Sequence, residues 1–79
     1  MKTIHVKARL CGRLRQFANT GVPHHWEGEV PAGTTVGELI SVIGGKREDV
    51  HYFRVNEKYC YDTEVLSEGA FVQYYPPAQ

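Results

Sequence analysis

Four histidines (His5, His24, His25 and His51) and two cysteines (Cys11 and Cys60) are the side chains of this 79-residue chain best suited to metal binding, proton transfer or nucleophilic attack. Their spacing argues against all three. His24 and His25 are adjacent, and neighbouring strand residues point to opposite faces, so the pair does not converge on one ion. No H-x-x-x-H run or Cys/His cluster occurs at metal-ligand spacing. Two cysteines exclude a four-cysteine iron–sulfur centre by count. They form neither a CxxC pair nor a secreted disulfide framework, and read as free, partly buried thiols. Asp62 and Glu64 stand in a loop without an apolar pocket to tune them for acid–base work. The glycines of the Gly33–Gly37 and Gly44-Gly45 segments lack phosphate-loop or dinucleotide spacing. The chain is therefore expected to hold no catalytic residue, metal or cofactor, and to present a surface or a tail to a partner.

Two places could do that. One is the C-terminal segment Pro76-Pro77-Ala78-Gln79, where the di-proline either stiffens a presented tail or simply ends the last strand. The other is a sheet face on which strand alternation would gather Lys7, Arg9, Arg54, Phe71 and Tyr75. Aromatic residues ringed by arginine and lysine have the composition of a protein–protein hot spot. They could equally be rings lying over aliphatic stems on an exposed sheet.

The elements that must position these residues are legible. Thr3 to Leu10 alternates polar and apolar, the pattern of a strand buried on one face, with Ile4, Val6, Ala8 and Leu10 inward. Gly12 to Thr20 has room for a turn or two of helix. His24 to Val30 alternates less cleanly, with Trp26, Gly28 and Val30 on one face, and reads as the return strand of a hairpin. Thr35-Val36-Gly37-Glu38 has the S/T-x-x-E form of a capping box. Val36, Leu39, Ile40 and Ile43 then follow at i, i+3, i+4 and i+7, one helix face, and Gly44-Gly45 supplies a left-handed stop. Tyr52 to Val55 reads as a strand with Phe53 and Val55 inward, Asn56-Glu57-Lys58 as a turn, and Tyr59-Cys60-Tyr61 as a short return. Leu66 to Gly69 is a tight turn before a last strand, Ala70 to Tyr75, with Val72 and Tyr74 on one side and Phe71, Gln73 and Tyr75 on the other. One long helix can cover only one face of this sheet. The expected fold is α+β: a mixed four- to five-stranded sheet with one main helix packed on one face, the β-grasp, as a single domain over residues 1–79.

Apolar residues make up 42% and charged residues 23% of the chain, which is globular usage and argues against disorder. No apolar run reaches the roughly 18 residues of a membrane span, and Met1-Lys2-Thr3 leads straight into the strand pattern without a signal-peptide core. A soluble cytoplasmic protein, monomeric on its own, is the expectation. Formal net charge is zero but unevenly spread: Lys2, Lys7, Arg9, Arg13 and Arg15 all precede the first acidic residue, Glu27. The asymmetry could steer an anionic partner or be matched internally between strands. Without a continuous Lys/Arg stripe, nucleic acid is not an expected partner.

Pro31-Ala32-Gly33-Thr34-Thr35-Val36-Gly37-Glu38-Leu39 resembles the helix start of the small β-grasp sulfur carriers, the MoaD/ThiS family. Val55-Asn56, Leu66-Ser67-Glu68-Gly69 and Val72-Gln73-Tyr74-Tyr75-Pro76-Pro77 resemble that family's second half, most closely its MoaD-like branch. The resemblance implies a C-terminal Gly-Gly that threads into an adenylating enzyme, where the carboxylate is activated with ATP and becomes a sulfur-donating thiocarboxylate. It also implies an adenylating enzyme or a molybdopterin-synthase large-subunit-like protein as partner. Here Ala78-Gln79 follow Pro76-Pro77, so hindered carrier chemistry is the expectation, with a non-carrier adaptor binding through its open sheet face as the alternative. Ala70 stands where the family has Asp. Glu57 stands where it has Gly, which leads us to expect a looser hairpin.

Overall fold

The computed structural model describes residues 2–76. Its five strands are β1 (Thr3–Arg9), β2 (His25–Pro31), β3 (Tyr52–Val55), β4 (Lys58–Tyr59) and β5 (Phe71–Tyr75), with helix α1 (Val36–Ile43) between β2 and β3. They form one mixed sheet in the order β2-β1-β5-β3-β4. β1 pairs antiparallel with β2 and parallel with β5, while β5 and β4 each run antiparallel to β3. The last strand therefore fills the centre of the sheet. This is the expected β-grasp, and among the described residues no helix is long and apolar enough to cross a membrane.

Alternation decides which face is covered. Val6 and Ala8 of β1, Trp26 and Val30 of β2, Phe53 of β3 and Val72 and Tyr74 of β5 point under the helix and are buried, as are Val36, Leu39, Ile40 and Ile43 from α1. Each fully buried Leu, Ile or Val in this cluster contributes about 1.5–3 kcal/mol relative to exposure. The capping box forms as expected: the Thr35 hydroxyl accepts from the Glu38 N–H, and the Glu38 carboxylate accepts from the Thr35 N–H. Gly44 ends the helix at φ 115°, a conformation that a side chain would strain. Gly45 serves packing instead, because a Cβ there would lie 2.1 Å from a Leu14 methyl. The indifferent alternation of β2 has a similar cause. The Trp26 indole folds along its own strand over Gly28, where a Cβ would come within 2.9 Å of the ring.

Three local readings are corrected. The Gly12–Phe17 segment is a 3₁₀ turn, buried through Leu14. The return strand is Lys58–Tyr59 rather than Tyr59 to Tyr61, because the turn uses two residues and not three. Asn56 and Glu57 both take positive φ (51° and 71°), the signature of a tight type I′ hairpin. Glu57 thus accepts a glycine conformation, and the hairpin is not loosened. Asn56 also grips the central strand: its N–H donates to the Phe71 carbonyl at 2.8 Å, and its side-chain oxygen accepts from the Phe71 N–H at 3.0 Å.

The Tyr74 hydroxyl, fully buried, donates to the Val36 carbonyl at 2.9 Å and so ties the last strand to the first turn of the helix. Burial pushes this phenol far above the usual tyrosine range. Ionisation of the unfolded chain near pH 10 then leaves the folded state with more bound protons, so stability falls as pH rises past that point. Replacing Tyr74→Phe should cost about 1 kcal/mol at pH 7. Urea denaturation should also show the variant losing less stability than the parent between pH 9 and about pH 11.

Candidate functional site

The sheet face opposite the helix collects every sheet residue singled out from the sequence. Register sets Lys7 beside Phe71, places Gln73 between Arg9 and Arg54, and pairs Tyr52 with Tyr75. Lys7 and Arg9 are exposed; Arg54, Phe71 and Tyr75 are half-buried. Phe71 is held in place by the Asn56 clamp.

The aromatic part of this face is larger than the sequence reading gave it. Tyr52 stacks on Tyr75 with centroids 4.6 Å apart and planes 17° apart. Tyr59 follows at 5.6 Å from Tyr52, with the Arg54 guanidinium 5.2 Å over its ring. His51 meets the Tyr52 edge at 5.6 Å. The signal was present, since Tyr52 shares alternation parity with Arg54, but Tyr59 becomes a neighbour only once the two-residue turn sets β4 in register. Stacked and cation–π contacts of this kind favour this arrangement of the rings, each by about 0.5–1.5 kcal/mol.

The β1–β2 half of the same face is polar. His5 Nε2 lies 2.6 Å and His25 Nε2 3.4 Å from the Glu27 carboxylate. Hydrogen bonds from these two imidazoles hold the Glu27 carboxyl below its usual range. Lys7 stands directly opposite Glu27, so part of the N-terminal basic charge faces an acidic residue within the sheet. Among the described residues no group of three His, Cys, Asp or Glu side chains is placed to hold a metal. A shallow, open depression of about 320 Å³ lies at the start of α1, lined by Thr35, Gly37, Glu38, Arg47, Asp62 and Thr63. Its helix donors are already used. The Val36 and Gly37 N–H groups donate to the Glu64 and Asp62 carbonyls, and the capping box takes those of Thr35 and Glu38. None of these four helix-start N–H groups remains to bind an anion.

The tail leaves from the far end of β5. The His51 N–H donates to the Tyr75 carbonyl at 2.8 Å, the last ladder bond before the exposed Pro76. Pro77, Ala78 and Gln79, the rest of the tail, lie outside the described residues. β1 runs parallel to β5, so the turn that follows β1 sits at this exit. Gly12 there has φ +62°, and a Cβ on it would lie 2.7 Å from Pro76 Cβ. Gly12→Ala therefore combines left-handed strain with a clash. Thermal denaturation should show a loss of about 1–2 kcal/mol, and NMR should show shifts concentrated at Tyr75 and Pro76.

No protein-family model matches the sequence, and neither does any curated protein. Solved structures do. The chain is similar to a putative molybdopterin converting factor, subunit 1, from Pyrococcus furiosus, at 31% identity and TM-score 0.70, over 95% of this chain and 99% of that one. It also superposes on small archaeal modifier protein 1 from Haloferax volcanii in two structures, both at 16% identity. Their TM-scores are 0.72 (95% of this chain, 99% of that one) and 0.65 (94% and 96%), a likeness of fold alone. Because the Pyrococcus furiosus relative matches in sequence as well as fold across nearly all of both chains, this chain belongs to the MoaD/ThiS-like family of ubiquitin-like β-grasp proteins.

Proposed function

We propose that the chain works as a sulfur-carrier-type protein that offers its C-terminal segment, Pro76 to Gln79, to a protein partner docked on the outer sheet face. The partner is an adenylating enzyme or a molybdopterin-synthase large-subunit-like protein, met in the cytoplasm, and it brings the chemistry. The observation that carries this reading is the continuity of one strand. β5 contributes Phe71, Gln73 and Tyr75 to the outer face and then runs directly into Pro76. A partner seated on those rings would meet the emerging tail without any rearrangement of the sheet. The similarity to a putative molybdopterin converting factor, subunit 1, supports the pathway class.

The stacked Tyr52–Tyr75 pair and the Arg54–Tyr59 contact also favour a second reading, an adaptor that binds a partner through this face and never has its end modified. Both readings place binding on the same rings, so Phe71→Ala or Tyr75→Ala should weaken binding to a family adenylating enzyme by about 1 kcal/mol or more by calorimetry. They part at the tail. As a carrier, the chain incubated with that enzyme, ATP and a sulfur donor should gain the mass of one sulfur-for-oxygen exchange. Should its mass stay unchanged while a Gly-Gly relative is converted, with the two alanine variants still binding more weakly, the carrier reading falls and the adaptor stands.

A further inference from the structure

Five basic residues precede the first acidic one, and the fold separates them. Lys7 stands opposite Glu27 in the β1–β2 ladder, away from the others. Arg9 ends β1, and Arg13 and Arg15 follow in the turn that lies against the tail exit. All three are exposed, and the Arg13 side chain keeps 87% of its surface in solvent. Among the described residues neither Arg9 nor Arg15 forms an ion pair, and Arg13 only reaches Asp49 at 4.0 Å. Gly12, Arg13, Arg15 and Gln16 line an open groove of about 550 Å³, and Gly12 is the residue packed on Pro76. Gly12 therefore belongs both to the groove and to the packing around Pro76.

We infer that this arginine turn is a binding site for carboxylate side chains: the partner that receives the tail presents an acidic segment to Arg13 and Arg15. The inference rests on the partner-docking reading above and adds the chemistry of the partner's surface beside the tail. Guanidinium groups take carboxylates in paired hydrogen bonds, and exposed arginines at the exit would orient an acidic rim before the tail engages. At physiological salt the field reaches only about 8 Å, so the contact acts on what lies next to Pro76 and not on the distant sheet edge. A nucleic acid backbone fits less well. It needs a continued basic track, and the chain as a whole carries nine basic against nine acidic residues.

The test needs no partner. Titrating the labelled full chain with hexaglutamate at low salt should move the amides of Gly12, Arg13, Arg15 and Gln16 first, and added salt should reverse the shifts. Arg13→Glu with Arg15→Glu should weaken this binding roughly tenfold or more, whereas Lys2→Glu with Lys58→Glu, at the opposite end of the sheet, should leave it unchanged. Equal loss in both double variants, or shifts spread over all basic residues, would overturn the site. Shifts at the turn with inorganic triphosphate but not with hexaglutamate would overturn the carboxylate assignment in favour of a phosphate ligand. None of these outcomes depends on Phe71 or Tyr75, so failure here and failure of the docking reading are separately visible.

Discussion

The hydrogen bond from the Tyr74 hydroxyl to the Val36 carbonyl is the contact on which the rest of the arrangement turns. β5 comes last in the chain yet lies in the middle of the sheet, between β1 and β3. A strand that arrives late and ends at an exposed Pro76 would fray unless something fixed it from below. Tyr74 and Val72 supply that anchor, both fully buried beneath the helix. A buried phenol without a partner would be costly, and one with a partner in the helix locks two distant parts of the chain together. The Asn56 side chain adds a second hold at the start of the same strand. What remains free is what a docking partner would use: the outward side chains of β5 and the exit at Pro76.

The edges of the sheet reinforce this division. β4 is only two residues long and offers little backbone for another strand to join. β2 is longer, but Asn19 lies along it like a short strand. Its side-chain nitrogen donates to the Glu27 carbonyl at 2.8 Å, its side-chain oxygen accepts from the Glu27 N–H at 2.9 Å, and its backbone N–H donates to the His25 carbonyl. Pro31 closes the end of the strand. Edge pairing is thus discouraged at both ends of the sheet.

Most of this frame was readable from the residues. The capping box, the helix face from Val36 to Ile43, and the parity of β1 and β5 follow from local chemistry and from the 3.6 and 2.0 periodicities, and they appear as expected. The two-residue hairpin was misjudged because Glu57 adopts a conformation that sequence rules reserve for glycine. Contacts between residues far apart in the chain left no local trace. Nothing in the sequence near Gly12 announces Pro76, and nothing near Tyr52 announces Tyr75. Both follow from β5 entering between β1 and β3, a fact of topology and not of pattern. The sheet-face residues could be named because alternation alone assigns them; their aromatic neighbours needed the register.

The central claim is that the tail is delivered from a rigid base continuous with the helix-packed core. Native-state hydrogen exchange measures this directly. The account predicts that the amides of Val72, Gln73 and Tyr74 open with the same free energy as those of Leu39 and Ile40, as parts of one cooperative unit. Exchange of the β5 amides through a separate, much lower-energy opening, with the helix still protected, would contradict it.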